Sequence, residues 1–345
     1  MKNTLLWCAL LSLRVFSVNA WDYDGHRMIN QIALASLPTN FPAFIRIPAV
    51  QERVAFLAGE PDRWRNTSDL PLKHFNGPDH YIDLDELAAY KISPTTLSHF
   101  RYEFVGQLSA ARTAHPGDFP AIDPSKNEDK TRALVGLLPW ALTENYAKLK
   151  SGFSYLKALE GGGTRDEIAN AQQNIIYIMG VMGHYAGDAA QPLHTTLHHH
   201  GWIGANPKKY ATNSSIHSWI DGGYVHKVGI DFSELKTRTR PARVLSATSP
   251  NAAAPDIFPT VIAFISEQHK LVEPLYQLNQ NGSLSDHGEA GSKGRAFITQ
   301  QLLAGGQFLG DLWISAWQSA PVDTYLKSQL ARRKLPENAP APVSP

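Results

Sequence analysis

Cysteine is almost absent from this chain of 345 residues, and the only one is Cys8. It lies in an apolar N-terminal stretch, so the rest of the chain has neither disulfides nor thiolate metal sites. Excess charge is also missing. The 32 Lys and Arg balance 31 Asp and Glu, for a formal net charge of +1. No global basic field advertises nucleic acid or a membrane surface. Beyond residue 20 no segment reaches the roughly 18 uninterrupted apolar residues of a membrane span. Strand-like alternation and internal repeats are lacking as well.

What is present suits a sizeable core. The chain is 43% hydrophobic and contains 8 Trp, 12 Tyr and 14 Phe. Its length allows one large domain or two ordinary ones. Apolar residues recur mostly at helical spacing, so the expected fold class is all-α, a single domain of mostly long helices.

Residues 1–20 resemble a secretory signal. Lys2 supplies the positive start, Leu5 to Leu13 is apolar apart from Ser12, and Val18-Asn19-Ala20 is a small-residue cleavage site. Cleavage after Ala20 makes Trp21 the mature N-terminus and frees its α-amino group. The expected location is outside the cytoplasm, periplasmic or secreted, with an uncleaved anchor as the minor alternative. Losing Lys2 and Arg14 leaves 30 basic against 31 acidic residues, a net charge of −1. Residues 336–345 are rich in Pro and Ala and read as a disordered tail.

Helices are expected from Met28 to Leu37, over 50–60, 95–113, 141–159, 165–190, 256–279 and 290–318. Thr164 is the expected N-cap of the 165–190 helix. Ile175, Ile176, Ile178, Met179 and Met182 make that helix apolar nearly all round, hence central. His115 to Lys130 reads as an exposed loop. Asp62, after Glu60-Pro61, reads as a cap or turn residue. His80-Tyr81-Ile82-Asp83 reads as extended or turn-like. Asn66, Asn213 and Asn281 begin glycosylation sequons, which matter only in a host that glycosylates.

The chemistry concentrates between Gly183 and Asp221. His184 and Asp188 are four residues apart, and so are His217 and Asp221; His194 follows Pro192 between them. Residues four apart share one helix face. Two such pairs and a third histidine can aim five metal ligands at one point. A charged Asp in a buried helix is costly unless it is paired or bound to a metal. Imidazole and carboxylate together suit zinc. His198-His199-His200 belong to the following Gly-rich loop and are placed near the rim.

These motifs are similar to those of the trinuclear-zinc superfamily of secreted single-strand-specific nucleases and bacterial zinc-dependent phospholipases C. The resemblance rests on the Trp after a signal, Gly25-His26, His80-Tyr81-Ile82-Asp83, the Gly183-to-His194 run GHYAGDAAQPLH, and Ile216-His217-Ser218 with Asp221. It covers Trp21 to about Tyr224 and, more loosely, the C-terminal helices.

The resemblance implies three Zn²⁺ ions. Asp62, His80, His184 and Asp188 would hold the first. His194, His217 and Asp221 would hold the second. The amine and carbonyl of Trp21, with His26, would hold the third, bridged to the first by Asp188. A water between the first and third would be the nucleophile in phosphodiester hydrolysis. Arg65 would contact the phosphate, so Arg65 and Asp188 are the catalytic expectations. Tyr81 and Asp83 would stack on and hydrogen-bond a nucleobase.

Single-stranded nucleic acid is the expected substrate, with 5′-phosphate products. Asp221, where the phospholipases carry Glu, and Arg65, three after Asp62, favour the nuclease over a phospholipase acting on phospholipid head groups. A zinc-stabilised binding protein without turnover is the third reading, and no obligate protein partner is inferred. The chain departs from the family pattern in the long His80–His184 spacing and in Glu60-Pro61-Asp62, where the family has Trp-Ala-Asp.

Overall fold

A computed structural model describes residues 21–245, 256–285 and 289–333. The expected signal segment and Pro-rich tail lie outside these residues. The fold is all-α. Among the described residues the only β-pairing is an isolated bridge between Ile82 and Gly136. No described helix is long and apolar enough to cross a membrane.

Helix α1 (Tyr23–Ser36) starts where the Asp22 carboxylate accepts from the Gly25 N–H, and it ends before Pro38. Helix α2 (Pro48–Leu57) begins with proline at its first position, where no N–H is needed. Helix α3 (Glu60–Arg65) follows at once. Asp62 therefore sits inside a helix and not in a turn, a correction to the sequence reading. Pro61 falls in the first turn, where it favours helix. Helix α4 (Leu70–Asn76) leads into the His80 segment.

Helix α5 (Arg101–Ala114) starts later than the expected residue 95, because Pro94–Thr96 closes into a separate 3₁₀ turn. The 115–130 stretch is loop with two short 3₁₀ turns. Helix α6 (Leu138–Glu160) buries Trp140, Leu149 and Phe153. Helix α7 (Arg165–Ala190) is the centre of the domain and packs against α1, α2 and α6. Thr164 and Glu167 form a reciprocal capping box at its start. Ile175, Ile176, Met179 and Met182 are buried, each contributing about 1.5–3 kcal/mol by leaving water. Ile178 is only partly buried.

The segment after residue 213 does not stop at Gly222-Gly223 as its glycines suggest. Helix α8 (Ser215–Ser218) passes through a π-helical turn, Trp219–Gly223, into α9 (Tyr224–Val228). Helix α10 (Phe232–Thr237) follows. The expected 256–279 helix is two, α11 (Phe258–His269) and α12 (Val272–Gln280). Pro274 explains the break: it has no N–H for the Lys270 carbonyl, and its ring crowds that carbonyl. Helix α13 (Glu289–Ser319) lies along α1 and α7, and α14 (Thr324–Arg332), which the sequence reading missed, packs on α6.

Candidate metal centre

The C-terminal turn of α7 carries His184 and Asp188 into the interior, where both are fully buried. Helix α1 brings His26 alongside, its ring stacked on that of His184 at 3.8 Å. The approach depends on Gly187. A Cβ there would sit 2.7 Å from His26 Nδ1 and 2.9 Å from Ile29 Cδ1. Helix α3 supplies Asp62, and the turn after α4 supplies His80.

The His80 segment is held from both sides. The Ile82 N–H donates to the His194 carbonyl at 2.9 Å, and the Asp83 N–H donates to the Val135 carbonyl at 2.7 Å. Gly136 adopts φ +95°, and a Cβ there would lie 2.0 Å from the Tyr81 carbonyl oxygen. His194 stands on the 3₁₀ turn Pro192–Thr195, which starts where Pro192 ends α7. His217 is on α8, and Asp221 is in the π-helical turn.

Three groups of side chains result: His26, His184 and Asp188; Asp62, His80 and His184; and His194, His217 and Asp221. In each, one ligand atom per residue lies within 4.8 Å of the others. Every one of these eight residues is buried. Asp188 links the groups. Its Oδ2 is 3.1 Å from His80 Nδ1 and 3.3 Å from His184 Nε2, and its Oδ1 is 3.6 Å from both His26 Nε2 and His194 Nδ1.

The ring nitrogens lie close enough to share a cation, though nearer to each other than a bound ion would set them. His80 Nδ1 and His184 Nε2 are 2.9 Å apart, and His194 Nε2 and His217 Nε2 are 3.0 Å apart. A tetrahedral ion with bonds of about 2.1 Å sets its ligand atoms about 3.4 Å apart. Both ring nitrogens of His26, Nε2 of His80 and Oδ1 of Asp188 are buried without a hydrogen-bond partner. Buried polar atoms normally have one. Outer partners also orient the rings: His184 Nδ1–H donates to the Ala58 carbonyl at 2.7 Å, and His194 Nδ1–H to the His80 carbonyl at 2.5 Å. That leaves Nε2 of each ring facing inward.

Burial sets the protonation of four of the five histidines. It pushes His26 well below the usual imidazole range, and, joined by the charge of Arg65, takes His80 down to about 3. Burial lowers His194 to about 4 and, with His199, His217 to about 3. These rings are neutral near pH 7, the form that ligates a metal. His184 is the exception: burial lowers it, but the carboxylates of Asp188 and Asp62 raise it above its ordinary value. Burial opposes the charge of Asp188, but the charge of His184 and the hydrogen bonds from His184 and His80 outweigh it and hold this carboxyl well below its ordinary value. Burial raises Asp221 well above the ordinary value.

Trp21 is fully buried beside the cluster, with its indole N–H donating to the Gly187 carbonyl at 3.0 Å. The next residue, Asp22, donates its N–H to the Asp221 carbonyl at 3.2 Å. The start of the described chain is thereby tied to the α7 end and to the π-helical turn.

A cleft of about 840 Å³ opens above the centre, lined in part by Arg65, Tyr81, Asp83, His194, His199, His200 and His217. Arg65 Nε lies 2.7 Å from Asp62 Oδ1, one helical turn away. Asp83 is buried, its Oδ1 has no hydrogen-bond partner, and burial, with Glu86 and Asp85 nearby, raises its carboxyl well above the usual value. His199 Nδ1 is 3.8 Å from that oxygen.

Sequence reasoning missed Gln191. Its side chain is fully buried, donates to Asp221 Oδ1 at 2.5 Å and accepts from the Leu193 N–H at 3.1 Å. Its place between Asp188 and His194 was the only signal. No family model matches the chain, and no curated protein matches it.

Proposed function

We propose that this protein is a zinc-dependent phosphodiesterase, most simply an endonuclease acting on single-stranded DNA or RNA. The observation that carries the reading is Asp188, whose two oxygens face different histidines under an open cleft. Three Zn²⁺ ions are assigned to the ligand sets given by the sequence motifs, with Trp21 contributing its amine and carbonyl. The His/Asp donor set and the absence of thiols suit zinc. Zinc bound there would supply Lewis acidity and lower the pKa of a bound water to about 7.

The chain's own residues bind and orient. Arg65, at the cleft wall, contacts the phosphate and offsets the charge that grows on it. Tyr81 offers its ring to a base. Asp83 lines the same cleft, where a carboxyl suits a hydrogen bond with a base edge. Asp221 and Arg65 support the nuclease reading over the phospholipase.

The test is metal analysis of the mature protein, then hydrolysis of single-stranded DNA, RNA and phosphatidylcholine with and without chelator. Chelator-sensitive cleavage of nucleic acid to 5′-phosphate ends is expected. Preferential lipid cleavage would move the assignment to a phospholipase. A single tightly held zinc without turnover would make the protein a zinc-stabilised binding protein.

A further inference from the structure

A second cavity, of about 520 Å³, lies between α5, the end of α4 and the 130–137 segment. It shares only Leu134 with the lining of the metal cleft. Its size falls within the range of pockets that hold small organic ligands, about 300–1,000 Å³. Val105 and Leu108 of α5, with Pro78, Leu134 and Leu137, give it an apolar lining. Phe75 and Tyr102 stand at its edge 62% and 85% exposed.

The charged residues of the lining are all of one sign. No Asp or Glu lines the cavity, whereas Arg101, Arg112 and Lys130 do. Arg101 is committed to Asp79 and Glu144, at 2.6 and 2.9 Å. Arg112 donates from Nε to the Tyr90 hydroxyl at 2.8 Å, and its guanidinium lies 4.8 Å over Phe119. Among the described residues it makes no close ion pair, although the charge of Glu86 acts on it; Lys130 makes none and is exposed. Lys130 holds φ 60°, the left-handed region that a residue with a side chain seldom adopts.

We propose that this cavity binds a free amphipathic anion, namely a medium-chain fatty carboxylate. Its chain lies on Val105, Leu108, Leu134 and Leu137, and its carboxylate meets Arg112 and Lys130. A cationic amphiphile would be repelled by Arg112 and Lys130, whereas a carboxylate would pair with them. None of the candidate metal ligands lines it, so the proposal does not depend on the phosphodiesterase reading.

The experiment is calorimetric titration of the mature, metal-loaded protein with decanoate, with decyltrimethylammonium as the control of opposite charge. Decanoate is expected to bind at one site and the cation not to bind. Val105→Trp, which fills the cavity, should weaken decanoate at least about tenfold, or about 1.4 kcal/mol. The double variant Arg112→Gln with Lys130→Asn should weaken it by a similar factor at unchanged metal content; Asn is chosen because it tolerates the left-handed backbone. Equal binding of the two amphiphiles, or wild-type affinity in the double variant, overturns the proposal. So does association with phosphatidylglycerol vesicles in the absence of any binding of free decanoate, which would make the surface a lipid-bilayer contact.

Discussion

Asp188 Oδ2 lies 3.1 Å from Nδ1 of His80, although the two residues are 108 positions apart in the chain. The carboxylate is fully buried, and its other oxygen turns toward His26 and His194. An uncompensated buried carboxylate costs several kcal/mol. Here the surrounding histidines and the proposed cations compensate it.

Replacing Asp188 with Asn keeps the shape and removes the charge and one strong ligand oxygen. If the proposed centre holds, Asp188→Asn is expected to lose at least one of the three proposed zincs and to reduce the proposed hydrolysis by two or more orders of magnitude. Elemental analysis beside the activity assay checks this. Full zinc content with full turnover would falsify the bridging role.

Gln191 touches no proposed metal directly but orients Asp221. Loss of such an outer hydrogen bond typically costs 10–100-fold in metal affinity. Gln191→Leu is therefore expected to weaken the zinc proposed at His194, His217 and Asp221 by that factor, leaving any other bound ions in place. Competition with a chromogenic chelator gives the affinities. Unchanged binding of all ions would reduce Gln191 to a packing role.

Trp21 lies against the α7 end through its indole N–H. A protein beginning at Trp21 has a free amine there, and one with a Gly-Ser extension does not. The extended form is expected to bind one zinc fewer and to be inactive under conditions where the other is active. Equal metal content in the two forms would remove the N-terminus from the ligand set.

Asp85 ties the turn after His194 to α11. It accepts from the Thr196 hydroxyl at 2.5 Å and the Leu197 N–H at 3.0 Å, and it faces His269 at 3.3 Å. Burial opposes its charge, but the bonds to His269, Thr196 and Leu197 win and lower its pKa. A lowered carboxyl stabilises the fold above its unfolded value, about 3.9, and the stabilisation is lost as pH falls through the folded value. Asp85→Asn should cost about 1 kcal/mol at pH 7, since the site is partly solvent-screened. The difference from wild type should shrink below about pH 4. Urea melts at the two pH values measure it, and a difference that grows in acid would contradict the sign.

Much of the fold was legible because its longest helices carry their own signals. Helix α7 runs from Arg165 to Ala190 as the Thr164 cap and the Pro192 stop require. The failures have local causes. Gly222-Gly223, which alone would favour a helix end, lie in a π-helical turn instead because α8 and α9 run on through it, with Tyr224 and Val225 buried. The 256–279 helix divided at Lys270 because one missing N–H outweighs a continuous apolar pattern. Asp62 lies in a helix too short for any periodicity to declare it.

Sequence alone determined which side chains are available and which of them share a helix face. The spacing of four between His184 and Asp188, and between His217 and Asp221, makes each pair meet in any helix, because backbone geometry is local. Tertiary structure alone decided that the pairs face one another across the α7 end. It also decided that His26 can stack on His184 past Gly187, and that Gln191 holds Asp221. Those meetings join residues distant in the chain. They depend on how α1, α3 and the π-helical turn pack against α7, which is a property of the whole core and not of any one stretch.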